Sequence, residues 1–60
     1  MSKKHYIRIA KVLNTAYNYT QADEGKSLVC NIAHAMAEEF QRDNKNFDLS
    51  RFMQAVHKEN

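Results

Sequence analysis

The sequence predicts an all-α fold, a small three-helix bundle, from three observations. Apolar residues recur at three- and four-residue intervals in three segments, the spacing that lines one face of an α-helix. The 60 residues include no proline and one glycine, so few positions would break a helix. Cap-forming residues precede each pattern, and turn-forming residues follow the second. We therefore expect one helical domain over 1–60, with helices at about 3–19, 21–44 and 48–57.

The first predicted helix is amphipathic, with Ser2 as its candidate N-cap. Its apolar stripe consists of Tyr6, Ile9, Ala10, Leu13, Ala16 and Tyr17. Its opposite side carries Lys4, Arg8, Lys11 and Asn18. This division predicts that the stripe packs in the core while the basic residues face water.

The second predicted helix contains the longest apolar run, Ser27 to Phe40, and should be the central helix of the core. Thr20 is its candidate N-cap, with Asp23 at the third helical position near the positive end of the helix dipole. Gly25 weakens this first turn by up to about 1 kcal/mol relative to alanine, so a start near 26–27 is the alternative. The expected stripe is Val29, Ile32, Ala33, Met36 and Phe40, widened by Leu28 and Ala35.

The segment 43–46 is expected to end the second helix, because its asparagines readily adopt turn conformations. Asp48 is the candidate N-cap of the third helix. Phe47 and Phe52 then have the spacing of a hydrophobic staple, in which residues on either side of the cap pack together. The complete predicted core consists of Ile9, Leu13, Tyr17, Val29, Ile32, Met36, Phe40, Phe47, Phe52 and Val56.

Composition narrows the class of protein. A hydrophobic content of 43% with a net charge of +2 is typical of a globular chain and not of a disordered one. Cys30 is the one cysteine, so an intrachain disulfide is excluded and a reducing cytosol fits best. The basic N-terminal segment lacks the apolar stretch of a signal peptide, because Arg8 and Lys11 interrupt it. We expect a cytoplasmic protein without a membrane partner.

The sequence shows no arrangement of residues that would support catalysis. Cys30 and His34 are helical neighbours, but a structural zinc site usually needs four ligands with paired spacing. The same pair lacks the orienting group and oxyanion site of a nucleophilic enzyme. Glu38 and Glu39 are adjacent and point in different directions around a helix, which makes them a poor acid and base pair. We therefore predict a non-enzymatic protein without a metal or cofactor.

Charge is distributed unevenly along the chain. Residues 1–20 carry four basic side chains and no acid, whereas residues 21–44 carry two basic and five acidic side chains. Lys4, Arg8 and Lys11 form a basic face on the first helix, and Tyr19 is the best candidate for an exposed anchor. These four residues are the predicted partner-binding site, and a solvated helix face without a partner is the alternative.

Two alternatives to a protein partner remain open. A nucleic acid could bind the basic face or the third helix, where Arg51, Gln54 and Lys58 are the candidate contacts. An acid at position 48 argues against this reading, because it stands at the helix end that should meet DNA. The small size and the off-stripe Ile7 and Val12 also leave a homodimer open.

Segments at both ends of the chain resemble sequence patterns found in other proteins. The segment KKHYIRIAKVL is similar to a K-K-H-aromatic-x-x-I-A-x-aliphatic-L start, and NKNFDLSRFMQAV to an N-x-x-F-D-x-x-R-F-x-x-A-aliphatic ending. Together they resemble a loose group of small, uncharacterised proteins encoded by bacteriophages and prophages. Members of that group commonly carry proline where Lys45 stands and often cysteine where Val56 stands.

The resemblance implies a phage context, in which small proteins frequently bind and disable a host enzyme or a defence complex such as a CRISPR effector. The expected function is a non-enzymatic interaction module that binds a host protein in the host cytoplasm and inhibits or modulates it. A small nucleic-acid-binding regulator and a structural subunit of a phage assembly are the alternatives.

Overall fold

The computed structural model describes residues 2–59, which form three α-helices: α1 (Lys3–Tyr19), α2 (Asp23–Asp43) and α3 (Leu49–His57). Each helix contacts both of the others, and residues 2–59 contain no strand. The predicted all-α three-helix bundle is therefore confirmed. α2 begins two residues later than the pattern suggested, and α3 begins directly after its cap.

The connection between α1 and α2 differs from the prediction at Thr20. Thr20 is the C-cap of α1, where its backbone N–H and its hydroxyl both donate to the carbonyl oxygen of Ala16. The N-cap of α2 is Ala22, so the proposed capping role of Thr20 in α2 is wrong. Gly25 packs against Thr20, and a Cβ at this position would collide with the threonine methyl group. The glycine therefore allows the chain to fold back closely between the two helices.

The start of α3 agrees with the prediction. The Asp48 carboxylate accepts a hydrogen bond from the Arg51 backbone N–H at 3.0 Å, a cap that contributes about 1 kcal/mol. The rings of Phe47 and Phe52 lie on either side of this cap with centroids 5.5 Å apart, which confirms the hydrophobic staple.

An aromatic cluster forms the centre of the core. Tyr6 of α1 lies 4.6 Å from Phe47 and 5.0 Å from Phe40 of α2, measured between ring centroids. Phe52 of α3 lies 5.7 Å from Phe40, so the cluster joins all three helices. Tilted and edge-on ring pairs at these distances are each worth about 0.5–1.5 kcal/mol beyond their buried area. The buried residues are Tyr6, Ala10, Ala33, Ala37, Phe47, Phe52 and Val56.

The buried face of α2 agrees only in part with the prediction, which included Ala33 but not Ala37. Ala33 and Ala37 are completely buried, whereas Ile32, assigned to the core, is 48% exposed. Leu28 is 61% exposed and Ala35 is also exposed. The small side chains of Ala33 and Ala37 let α2 approach the aromatic cluster closely. Consecutive residues of a helix are about 100° apart, so Ile32 points away from the core when Ala33 points into it. Of the other predicted core positions, Ile9, Leu13, Tyr17, Val29, Met36 and Phe40 are half-buried.

Two asparagines of α1 hold the C-terminal end of α3. The Asn14 side-chain amide donates to the carbonyl oxygens of Val56, at 2.9 Å, and Lys58, at 2.6 Å. The Asn18 amide donates to the same Lys58 oxygen at 2.9 Å. The last carbonyls of a helix have no partner within the helix, so these amides satisfy groups that would otherwise need water.

Asn14→Ala is expected to lower the free energy of unfolding by about 1–3 kcal/mol, because it removes two inter-helix hydrogen bonds and the Val56 carbonyl oxygen loses its side-chain donor, while Asn18 still donates to Lys58. Urea unfolding followed by circular dichroism measures this loss. Thr15→Ala is the matched control, since the Thr15 hydroxyl is exposed and donates only within α1, to the Lys11 carbonyl. Equal midpoints for the two variants would contradict the role assigned to Asn14.

Candidate interaction surfaces

The basic face consists of Lys4, Arg8 and Lys11, which all lie exposed on the outward side of α1. Their spacing of four and three residues brings them onto neighbouring helical turns. Tyr19 lies two turns beyond Lys11 at the end of the same helix and is 87% exposed. The structure therefore places the four predicted contact residues along one side of α1.

Acidic side chains do not neutralise the basic face. Within residues 2–59 the ion pairs are His34–Glu38 and Arg42–Glu39, both contained in α2. The positive charge of α1 is therefore available to a partner of opposite charge.

The alternative nucleic-acid contacts lie on α3. Arg51, Gln54 and Lys58 are all exposed, although Lys58 follows the last helical residue as the C-cap. The carboxylate of Asp48 stands at the N-terminus of α3 and is bound to the Arg51 N–H. A recognition helix usually presents its N-terminal residues to the bases, so a negative charge there opposes DNA binding.

A groove of about 670 Å³ lies between α1 and the start of α3. Tyr6 and Phe47 line it from the core side, while Ile7, Lys3 and Arg51 stand at its border. No local sequence pattern indicated this groove, because its two walls are 34 or more residues apart in the chain and meet only through the packing of α1 on α3.

A second, apolar hollow lies between α1 and α2, lined by Arg8, Ile9, Val12, Leu13 and Met36. Val12 is 68% exposed, and the exposed Leu28 and Ile32 continue the apolar surface along α2. We call the apolar residues of this region the α1/α2 patch: Ile9, Val12, Leu13, Leu28, Ile32 and Met36. Only Val12 among its exposed members was recognised in advance, because the periodicity assigned Leu28 and Ile32 to the core.

Cys30 and His34, the candidate metal-binding pair, are not joined by further ligands among residues 2–59. Cys30 is half-buried, and the Nδ1 atom of His34 lies 3.4 Å from a carboxylate oxygen of Glu38. Over residues 2–59 there is no group of three or more His, Cys, Asp or Glu side chains that could hold a metal ion.

Tyr17 and Lys26 join the C-terminal end of α1 to the N-terminal part of α2. The Lys26 ammonium donates to the Tyr17 carbonyl oxygen at 2.9 Å and lies 4.1 Å from the centroid of the tyrosine ring. Desolvation raises the pKa of the Tyr17 hydroxyl above its usual value, and the negative charges of Glu59, Cys30 and Asp23 raise it further. The hydroxyl is therefore protonated at neutral pH, and this contact stabilises the helix pair.

None of the helices formed by residues 2–59 combines the length and the hydropathy needed to cross a membrane. Comparisons with protein-family models, curated proteins and solved structures found no match to this chain.

Proposed function

We propose that this chain is a non-enzymatic interaction module that binds an acidic surface of a host protein and inhibits or modulates it. The observation that supports the proposal is the basic face, whose three exposed cations have no acidic partner within residues 2–59. The resemblance of both chain ends to small phage and prophage proteins suggests the host cytoplasm as the place of action. A defence complex such as a CRISPR effector is one target of this kind.

The physical roles of the four residues differ. Lys4, Arg8 and Lys11 raise the association rate with an acidic partner and disfavour basic ones, because complementary charge acts mainly on encounter and specificity. Tyr19 offers a large aromatic side chain at one end of the basic face, and tyrosine is enriched among residues that dominate binding energy.

Reversing the basic face with Lys4→Glu, Arg8→Glu and Lys11→Glu is expected to weaken partner binding about a hundredfold or more, because three attractions become repulsions. The measurement is capture of bacterial lysate proteins by the tagged chain after nuclease treatment, followed by affinity measurement with the captured protein. We expect the wild type to retain one stoichiometric protein that the reversed variant loses.

The matched control reverses Lys45, Arg51 and Lys58, three exposed cations outside α1, and changes the net charge by the same amount. Circular dichroism verifies that both variants are folded. If the α1 variant still captures the partner and the control variant does not, the binding site lies near α3 and not on α1. Capture that disappears with nuclease would favour the nucleic-acid-binding regulator, and capture of the chain alone would favour a structural subunit.

A further inference from the structure

We propose that two copies of this chain associate through the α1/α2 patch, around a two-fold axis that runs parallel to α1 and α2. This dimer would use Lys4, Arg8 and Lys11 of the basic face, which the proposed host partner also uses, but it can be measured on the purified chain alone. The second copy would cover an apolar surface that is exposed to water in the monomer.

The α1/α2 patch is one continuous apolar surface. Leu28, Ile32 and Met36 follow one another at four-residue intervals along α2, so each lies one turn from the next. Met36 and Val12 line the same hollow, which connects the two helices. Single exposed aliphatic residues are ordinary on a protein surface, whereas several that adjoin one another mark an interface.

The two borders of the patch carry opposite charge. On the α1 side, Arg8 lines the hollow itself, and Lys4 and Lys11 belong to the same basic face. On the α2 side lie three exposed acids, Glu24, Glu39 and Asp43, at four residues before Leu28 and at seven and eleven residues after Ile32. The exposed Arg42 pairs with Glu39, so three acids and one base give this side a net charge of −2. These intervals return to nearly the same side of a helix, so the charged residues lie beside the α2 residues of the patch, toward its two ends.

α1 and α2 run antiparallel. Lys26, near the start of α2, contacts Tyr17 near the end of α1, and Phe40, near the end of α2, contacts Tyr6 near the start of α1. The patch is therefore a layer of two antiparallel helices, one with a basic border and one with an acidic border.

Charge complementarity selects the symmetry of the dimer. A face-to-face pair of identical chains has its two-fold axis within the interface plane. An axis perpendicular to the helices would stack α1 on α1 and α2 on α2, bringing like charges together. An axis parallel to the helices stacks α1 of each copy on α2 of the other, so that both basic borders meet acidic borders. Rotation about this axis does not shift residues along the helix direction, so Val12 of one copy lies opposite Ile32 and Met36 of the other.

A dimer interface of ordinary size would use a modest part of the surface of this chain. A standard interface buries about 800 Å² of each partner. The total accessible surface is 4705 Å², so the interface would use about a sixth of it. The 17 residues of α1 give the layer a length of about 25 Å, and its width is that of two helices. The pair would form a four-helix layer in which the apolar side chains of both copies become buried.

Ile32→Glu and Val12→Glu are each expected to raise the dimer dissociation constant about a hundredfold or more, because a buried carboxylate would face apolar side chains. Sedimentation equilibrium over a concentration series measures this constant. Ile7→Glu is the matched control, since Ile7 is also 60% exposed but borders the α1/α3 groove. A monomeric wild type at every concentration, or dissociation by Ile7→Glu alone, would overturn the proposal.

The complementarity between the basic and acidic borders can be tested separately by exchanging their charges. A chain with Arg8→Glu and Lys11→Glu, and a second chain with Glu39→Lys and Asp43→Lys, are each expected to be monomeric. Mixed together they should form a heterodimer, because every border of one chain is then opposite in charge to every border of the other. Failure of the mixture to associate would remove charge complementarity as the basis of the dimer.

Cross-linking distinguishes the two possible axes. In a background with Cys30→Ala, chains with Val12→Cys and chains with Ile32→Cys should form a disulfide with each other under mild oxidation, because α1 stacks on α2 of the partner. Chains with Val12→Cys alone should remain uncross-linked. Efficient cross-linking between two Val12→Cys chains would place α1 on α1 and overturn the proposed axis.

Discussion

Phe52→Ala is expected to lower the free energy of unfolding by about 3–5 kcal/mol, a large part of the total stability. Phe52 is 5% exposed, and its ring contacts Phe40 and Phe47 at centroid distances of 5.7 and 5.5 Å. Its removal opens a cavity where the three helices meet. A chain of 60 residues has a total stability of about 3–9 kcal/mol, so this single loss is comparable with the whole.

Thermal and urea unfolding, followed by far-ultraviolet circular dichroism, measure the effect of Phe52→Ala. Phe52→Leu retains most of the side-chain volume and should remain folded. Tyr19→Ala removes an aromatic ring that is 87% exposed and should change stability by at most about 0.5 kcal/mol. A Phe52→Ala variant that unfolds at the wild-type midpoint would show that the aromatic cluster does not hold the helices together.

Ala37→Leu is expected to destabilise the domain by about 1–3 kcal/mol or more, although leucine is nearly as good a helix former as alanine. Ala37 is completely buried where α2 packs on the core, so a larger side chain must push the helices apart. Chemical unfolding measures the change.

Ala35→Leu provides the matched control, because Ala35 lies on the same helix and is exposed. Its effect should stay within about 0.5 kcal/mol. Equal stability of the two variants would mean that the interior around Ala37 has room for three more carbon atoms, contrary to its complete burial.

The three helices and the N-caps of α1 and α3 were the parts of the fold that the sequence predicted best, whereas the N-cap of α2 was predicted wrongly. The periodicity of α1 and the Asp48 cap depend on residues within a few positions of one another, so local rules describe them well. The face of α2 was predicted correctly at Ala33 and wrongly at Ile32 and Leu28, because hydrophobicity alone assigns these larger aliphatic residues to the core. The close packing of helices favours the smaller residue instead, and only the tertiary structure reveals it.

The surfaces of the domain were likewise predictable where they depend on local spacing, and not where they depend on tertiary packing. Exposure of Lys4, Arg8 and Lys11 follows from helical spacing alone, so the basic face was accessible from the sequence. The contact of Asn14 with Val56 spans 42 residues and depends on how α1 and α3 pack, which no local pattern encodes. The groove between α1 and α3 was missed for the same reason.

The packing of α1 on α3 has a consequence for how the chain folds as it is synthesised. α1 contacts α3 more extensively than it contacts α2, and the amide of Asn14 binds carbonyls at the far end of α3. The first of these three helices to leave the ribosome therefore acquires its largest packing partner last. Until about residue 58 has emerged, α1 and α2 can form only an incomplete pair, with Tyr6 lacking the rings of Phe47 and Phe52 that close the cluster. Stable packing of α1 therefore requires the complete α3.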